Sequence, residues 1–203
     1  VKINGRNEFS SGDREINAEN SGTTIRVATA MSALVQSGKT TLTGDESLRK
    51  RPMQPLLDAL RQLGVECRSL GNGTPPVVVS GGGIKGGHAK IIGDVSSQFI
   101  SALLISCIYS DKDVEIEVQS EQVSKPYIDA TLATMQRFDA KIENNHYTNY
   151  HIKPQKYRPA SFAVPTDFSS VAMMLAAGAV AGEITVKGLN FELPQADAKI
   201  IDI

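Results

Sequence analysis

Hydrophobic and polar positions recur along this chain in a pattern that repeats about every 75 residues. Three times, a short polar cluster precedes an apolar stretch with helical spacing, and the first serines of these clusters lie 75 and 73 positions apart. The clusters are Ser21-Gly22-Thr23, Ser96-Ser97-Gln98 and Ser169-Ser170-Val171. A short strand-like run follows each predicted helix, at residues 39–43, 114–118 and 184–186. The pattern predicts three copies of one supersecondary unit.

The remainder of each unit follows the same order. Amphipathic patterns predict a second helix at residues 52–63 and again at 125–138, with Pro52 at the first helical position. Each is followed by a pair of extended segments, at 65–70 with 76–80 and at 141–144 with 150–153. Further strands are predicted before two of the opening helices, at 89–92 and 161–164. The unit is therefore βαβαββ, and the fold class is α/β (α+β).

The first unit begins near Glu15, and the third reaches residue 203 partway into its second helix, which starts at Ala196. Because an incomplete unit leaves an unpaired sheet edge or an uncovered apolar face, we expect the natural protein to continue in both directions.

Composition narrows the class of protein. Hydrophobic residues make up 41% and charged residues 21% of the chain, and the net charge is −1. These values are typical of a globular protein and give no reason to expect nucleic acid or a membrane as partner. The two cysteines and three histidines are scattered and form no disulfide or zinc pattern. We therefore expect a protein of the reducing cytoplasm, without a disulfide framework or a zinc site.

The three helix starts are candidate anion-binding positions. A helix N-terminus has unpaired backbone N–H groups and a partial positive charge, so it can bind a phosphate. Ser and Thr are also ordinary helix caps, so a single cluster has no functional meaning by itself. If the repeats pack with parallel helices, however, all three helix N-termini lie on one surface of the protein and together form an anion-binding surface.

Basic residues agree with this interpretation. Arg49-Lys50-Arg51 places three cations in the loop before the second helix, although such a loop is often only a solvated surface. Arg26 lies within an otherwise apolar helix, where an unpaired guanidinium is costly to bury. Its partner is expected to be either a substrate anion or one of the carboxylates Asp45 and Glu46.

Five ordered motifs resemble the 3-phosphoshikimate 1-carboxyvinyltransferase (EPSP synthase) family across nearly the whole chain. The motifs are Asn20-Ser21-Gly22-Thr23-Thr24-Ile25-Arg26, Leu48-Arg49-Lys50-Arg51-Pro52, Ser96-Ser97-Gln98-Phe99, Ser124-Lys125-Pro126-Tyr127 and Thr166-Asp167-Phe168-Ser169-Ser170. The resemblance implies six such units in two prism-shaped domains, with helices inside and sheets outside. Residues 1–164 would belong to the domain that binds shikimate 3-phosphate, and residues 165–203 would start the second domain.

The resemblance also implies two groups of binding residues. Shikimate 3-phosphate would be held by Ser96, Ser97, Gln98, Ser124 and Tyr127. Phosphoenolpyruvate would be held by Asn20, Gly22, Thr23 and Arg51, with Arg26 and Asp167 as supporting residues.

The implied reaction transfers the enolpyruvyl group of phosphoenolpyruvate to the 5-hydroxyl of shikimate 3-phosphate, without a metal or cofactor, in an enzyme that is a monomer at full length. The family's acid and base residues have no counterpart in this chain, so we expect the chain alone to be inactive. Two alternatives remain at this point. The first is the UDP-N-acetylglucosamine 1-carboxyvinyltransferase family, which shares the fold and reaction. That family has a Cys in the loop equivalent to residues 45–51, and this chain has none there. A non-catalytic module that binds a phosphorylated metabolite is the other.

Overall fold

The computed structural model describes residues 2–5, 10–191 and 193–202. Its first βαβαββ unit is confirmed. The elements are β1 (Arg14–Asn17), α1 (Gly22–Ser32), β2 (Lys39–Thr43), α2 (Gln54–Gln62), β3 (Cys67–Ser69) and β4 (Val77–Ser80). A 3-10 turn, Leu48–Lys50, lies between β2 and α2. The strands form one sheet in the order β1-β2-β4-β3, in which β1 and β2 are parallel and the other neighbours antiparallel.

The second unit repeats this topology. Its elements are β5 (Gly87–Ile91), α3 (Ser97–Cys107), β6 (Val114–Val118), α4 (Lys125–Arg137), β7 (Glu143–Asn145) and β8 (Asn149–Ile152). The sheet order is β5-β6-β8-β7, again with one parallel and two antiparallel pairings. The period of 75 residues therefore corresponds to a duplicated structural unit.

Alternating burial explains how these segments form their elements. In β6, the side chains of Val114, Ile116 and Val118 are buried while the glutamates between them face outward. In α2, Leu56, Leu57 and Leu60 form the buried stripe of an amphipathic helix. The predicted role of Pro52 is wrong, because α2 begins at Gln54 and its early proline is Pro55. Residues 51–53 therefore lie in the loop before α2, where the N–H groups of Arg51 and Met53 donate to the carbonyls of Leu48 and Gly73.

The two units share one hydrophobic core. Helix α1 packs along α3, α3 packs along α4, and α2 packs on β5 of the other unit. The buried cluster accordingly contains residues from both sheets and from α1 to α4. This packing fixes the relative positions of the helix starts, which matters for the site below.

The third unit forms only in part. Helix α5 (Phe168–Ala181) is present, but the strands predicted at 161–164 and 184–186 are not formed. The helix predicted from Ala196 is a 3-10 turn, Ala196–Asp202, and residue 203 lies outside the described residues. In the other two units the strand after the first helix is hydrogen-bonded on both sides. Within the described ranges the third unit has no antiparallel partner for such a strand, and an isolated pair of strands is marginally stable at best.

No helix in the described part of the chain is long and apolar enough to cross a membrane.

Candidate anion-binding site

The N-termini of α1 and α3 lie side by side. The Nε2 atom of Gln98, in the first turn of α3, donates to Oγ1 of Thr23, in the first turn of α1, at 2.9 Å. Both helices have serine caps, since Ser21 Oγ accepts from the Thr24 N–H and Ser96 Oγ accepts from the Gln98 N–H. Two helix starts therefore present their remaining free N–H groups to neighbouring space.

Two guanidinium groups meet at Gly22. A Cβ atom added to this glycine would lie 2.8 Å from Nη1 of Arg51 and 3.2 Å from Nη1 of Arg26. Arg51 follows the 3-10 turn between β2 and α2, while Arg26 lies one turn further along α1 than Gly22. The absence of a side chain at Gly22 leaves room for both cations beside the start of α1.

Arg26 is held without a carboxylate. It is only 7% exposed; its Nη1 donates to Oε1 of Gln98, and its guanidinium lies 5.1 Å from the centre of the Phe99 ring. Its Nε atom is buried and has no hydrogen-bond partner. Burial lowers the pKa of Arg26 from its ordinary value, and the neighbouring positive charge of Arg51 lowers it further.

Of the two kinds of partner predicted for Arg26, the carboxylates Asp45 and Glu46 are wrong, because both are engaged elsewhere. Asp45 accepts hydrogen bonds from Asn20 and from the backbone of Leu48, and Glu46 forms an exposed ion pair with Lys50 at 3.5 Å. Among the residues that the structure describes, no acidic group lies within ion-pair distance of Arg26 or Arg51. Two adjacent positive charges with no acidic group in ion-pair contact are an arrangement that a bound anion would stabilise.

A cavity of about 640 Å³ opens beside these residues. It is bounded by α1, α3 and α4, and its polar lining at the helix starts comes from Thr23, Ser97, Gln98 and Tyr127. Ser97 is buried, whereas the Tyr127 side chain is half exposed. Further along the helices the lining becomes mostly apolar. The polar end of the cavity therefore coincides with the helix starts.

The start of α4 belongs to the same end of the molecule. Ser101 of α3 and Thr131 of α4 are hydrogen-bonded at 2.8 Å, and Tyr127 lines the cavity together with Ser97 and Gln98. Ser124 precedes α4 with a left-handed backbone, φ 55°, and its exposed side chain makes no capping bond to the helix. Its hydroxyl is thus available for another partner.

The third predicted helix start does not offer an anion site. Asp167 caps α5 with hydrogen bonds from the Ser169 and Ser170 N–H groups, both at 3.1 Å. The hydrogen bond from the Ser170 hydroxyl, followed by that from the Ser169 N–H, lowers the pKa of Asp167. A carboxylate already occupies this N-terminus, so the expectation of three equivalent anion-binding starts is wrong at α5. Asp167 does share a smaller cavity, of about 310 Å³, with Tyr127.

The structure thus brings together Gly22, Thr23, Arg26, Arg51 and Gln98, with Ser96, Ser97 and Tyr127 next to them. Asn20 lies at the edge, with its amide bonded to Asp45 at 2.8 Å. Sequence reasoning missed Phe99 as the ring beneath Arg26. It also missed the contact of Thr23 with Gln98, which the repeat could have indicated because these positions are 75 residues apart.

Comparison with known proteins gives a consistent result. The model of the family described as "EPSP synthase (3-phosphoshikimate 1-carboxyvinyltransferase)" matches residues 1–203. A 3-phosphoshikimate 1-carboxyvinyltransferase of Nitrosopumilus maritimus is 51% identical over 191 residues, which are 93% of this chain and 44% of that protein. One from Methanococcus maripaludis strain C5 is 42% identical over 202 residues, covering 97% of this chain and 47% of that protein. The chain therefore spans less than half the length of these relatives.

Among solved structures, an EPSP synthase from Acinetobacter baumannii superposes with a TM-score of 0.73 at 23% identity, covering 92% of this chain and 41% of that one. At this level of identity the likeness shows the fold, which agrees with the α/β class and repeated units expected from the sequence.

Proposed function

Because the chain belongs to the EPSP synthase family, we propose that it forms part of an enzyme that transfers the 1-carboxyvinyl group of phosphoenolpyruvate to shikimate 3-phosphate. The products are 5-enolpyruvylshikimate 3-phosphate and phosphate, on the route to chorismate and the aromatic amino acids. The observation that carries the proposal is the pair of guanidinium groups, Arg26 and Arg51, beside two helix starts and without a carboxylate counter-ion.

Phosphoenolpyruvate fits the Gly22 side of this site. Its planar carboxylate and its tetrahedral phosphate each present a pair of oxygens that a guanidinium can bind with two hydrogen bonds. Arg51 is the more accessible cation and serves as the direct ligand, together with the first-turn N–H groups at Gly22 and Thr23. The buried Arg26 lies beside them and stabilises the bound anion through its positive charge. Asn20 completes the rim.

Shikimate 3-phosphate fits the polar end of the cavity between α3 and α4. Ser96, Ser97 and Ser124 supply hydroxyl groups for its phosphate, and Gln98 supplies an amide between the two substrates. The half-exposed ring of Tyr127 covers one face of the cyclic substrate. Its phosphate then lies close to two further helix starts, those of α3 and α4.

The chemistry requires addition and then elimination. The 5-hydroxyl oxygen bonds to C2 of phosphoenolpyruvate and gives up its proton to a base, while C3 gains a proton. The C2–O bond to phosphate then breaks as a proton leaves C3, which restores the C2–C3 double bond and releases phosphate. The residues of this chain bind and orient the reactants and stabilise their negative charge. The groups that move protons would come from outside these 203 residues.

The domain division is part of the same proposal. Residues 1–164 belong to the domain that binds shikimate 3-phosphate, and the chain crosses to the second domain at residues 165–167. The cavity shared by Tyr127 and Asp167 supports this boundary, because it lies between α4 and the start of α5. We also propose a cytoplasmic monomer; two buried thiols, Cys67 and Cys107, support a reducing compartment.

Phosphate release in the presence of both substrates tests the proposal. The 203-residue chain is expected to bind phosphoenolpyruvate in calorimetry but to form no product. The chain extended at both ends to the length of its relatives is expected to form 5-enolpyruvylshikimate 3-phosphate. Product formation by the 203-residue chain would refute the proposal that the proton-transfer groups lie outside these residues. An extended protein that folds but makes no product would refute the function itself. If that extended protein still binds the substrates without forming product, a non-catalytic module is favoured.

A further inference from the structure

Asp45 connects two separate parts of the candidate site. Its Oδ2 atom accepts a hydrogen bond from Nδ2 of Asn20 at 2.8 Å, and its Oδ1 accepts from the backbone N–H of Leu48 at 2.7 Å. Asn20 precedes the cap of α1, and Leu48 begins the 3-10 turn that leads to Arg51. One carboxylate therefore joins the start of α1 to the loop that carries the accessible cation.

Backbone contacts reinforce this connection. The Asp45 N–H donates to the carbonyl of Glu19 at 2.8 Å, and its own carbonyl accepts from the Arg49 N–H at 3.0 Å. The Arg51 N–H in turn donates to the carbonyl of Leu48 at 3.0 Å. Leu48 is fully buried, so its backbone has little freedom to move. A change at Asp45 is consequently transmitted through the short turn to Arg51.

Asp45 does not neutralise Arg51. Hydrogen bonds from Asn20 and from the Leu48 N–H hold the pKa of Asp45 below its ordinary value, and the charge of Arg51 contributes only a smaller part. Within the described ranges Asp45 forms no ion pair with Arg51. The carboxylate oxygens interact with the Asn20 amide and with the backbone N–H groups of Leu48 and Ser47, and the Arg51 guanidinium acts on Asp45 only through its charge.

We propose that Asp45 is a positioning residue, whose carboxylate sets the place of the Arg51 guanidinium relative to the start of α1. This inference rests on the proposed role of Arg51 in binding phosphoenolpyruvate. It also gives Asn20 a defined part, since its amide anchors Asp45. A purely structural role, in which Asp45 only caps the 3-10 turn, would affect stability without a specific link to Arg51.

The hydrogen-bond pattern suggests a decisive set of variants. Asn20 and the Leu48 N–H are both donors, so Asp45→Asn, with a single oxygen, leaves one of them without an acceptor. The double variant Asn20→Asp with Asp45→Asn restores both bonds, because the new amide donates to the new carboxylate and its oxygen still faces Leu48. Glu46→Gln is the matched control, since it removes a charge from the adjacent exposed side chain.

Calorimetric titration of the 203-residue chain with phosphoenolpyruvate, and separately with inorganic phosphate, measures the effect. Asp45→Asn is expected to weaken binding about tenfold, equivalent to about 1.4 kcal/mol. Because Asn20 itself borders the phosphoenolpyruvate site, the double variant is assessed by the order of the Arg51 side chain and not by binding. Glu46→Gln should bind like the parent. When Arg51→Lys is already present, Asp45→Asn should add little, because a positioning residue acts through the group it positions. Equal binding by Asp45→Asn, or full additivity with Arg51→Lys, would overturn the inference.

A second measurement separates this inference from the proposed function. The heteronuclear NOE of the Arg51 Nε–Hε group reports the order of this side chain without any ligand. It is expected to fall in Asp45→Asn and to recover in the double variant. If the parent binds neither phosphoenolpyruvate nor phosphate but the NOE still falls, the proposed function fails and the positioning role stands. If the parent binds and neither binding nor the NOE responds to Asp45→Asn, the positioning role fails alone.

Discussion

Substitution of Gly22 by alanine should separate anion binding from stability. The added Cβ would lie 2.8 Å from Nη1 of Arg51, 3.2 Å from Nη1 of Arg26 and 3.6 Å from Oε1 of Gln98. Ordinary contact begins at 3.4 Å, so the Arg51 guanidinium must retreat by about 0.6 Å and the Arg26 guanidinium by about 0.2 Å. The methyl group also occupies space where an anion would contact the helix start.

The energetic consequences have opposite signs. A hydrogen bond to a charged group contributes about 1.5–3 kcal/mol, so losing one from Arg51 should raise the Kd for phosphoenolpyruvate about 10- to 100-fold. Folding should be little affected, because the larger displacement falls on the accessible end of the Arg51 side chain, the buried Arg26 guanidinium moves much less, and Gly22 has no positive φ. Alanine is also the better helix former, by up to about 1 kcal/mol.

Calorimetric titration with phosphoenolpyruvate and urea unfolding followed by circular dichroism measure the two effects. Gly5→Ala is a suitable control, since no atom lies within 4 Å of a Cβ built at that position. If Gly22→Ala binds phosphoenolpyruvate as tightly as the parent, the site at Gly22 is wrong. If it instead lowers the free energy of unfolding by more than about 1 kcal/mol, the assumption that both guanidinium groups move easily is wrong.

Three further predictions follow from burial and protonation. Arg26→Met should preserve or raise the free energy of unfolding in urea, because it removes a buried and incompletely bonded charge. The same variant should bind phosphate more weakly in calorimetry. A large loss of stability would contradict the view that this buried charge is unfavourable for folding. Because the pKa of Asp167 is lowered in the folded state, its contribution exists above its unfolded pKa of about 3.9 and is lost as the pH falls through the folded pKa. Asp167→Asn should therefore flatten the acid limb of a pH–stability curve, and an unchanged limb would argue against the cap. Burial raises the pKa of Cys67 to about 11 and that of Cys107 to about 12. Both thiols should therefore react with a thiol reagent at pH 8 only after denaturation. Rapid reaction of the native chain would contradict the burial of these two side chains.

Sequence patterns predicted the two complete units closely. The strands at 39–43 and 114–118 have the predicted bounds, because alternating apolar residues leave one register that buries a single face. Helix α5 was also predicted, but its neighbouring strands were not formed. A strand depends on a partner elsewhere in the chain, and local alternation at 161–164 or 184–186 contains no information about that partner.

What the sequence by itself determined is therefore local: the repeat, the helix starts with their serine caps, and the motifs that resemble one family. Only the tertiary structure decided which charges meet. Arg26 and Arg51 flank one glycine because the loop after β2 returns to the start of α1, whereas Asp45, one of the candidate partners of Arg26, is bonded to Asn20 and Leu48. Gln98 reaches Thr23 because the two units pack with parallel helices. The physical reason is that periodicity records which face of an element is buried, while contacts between side chains depend on how distant elements share one core.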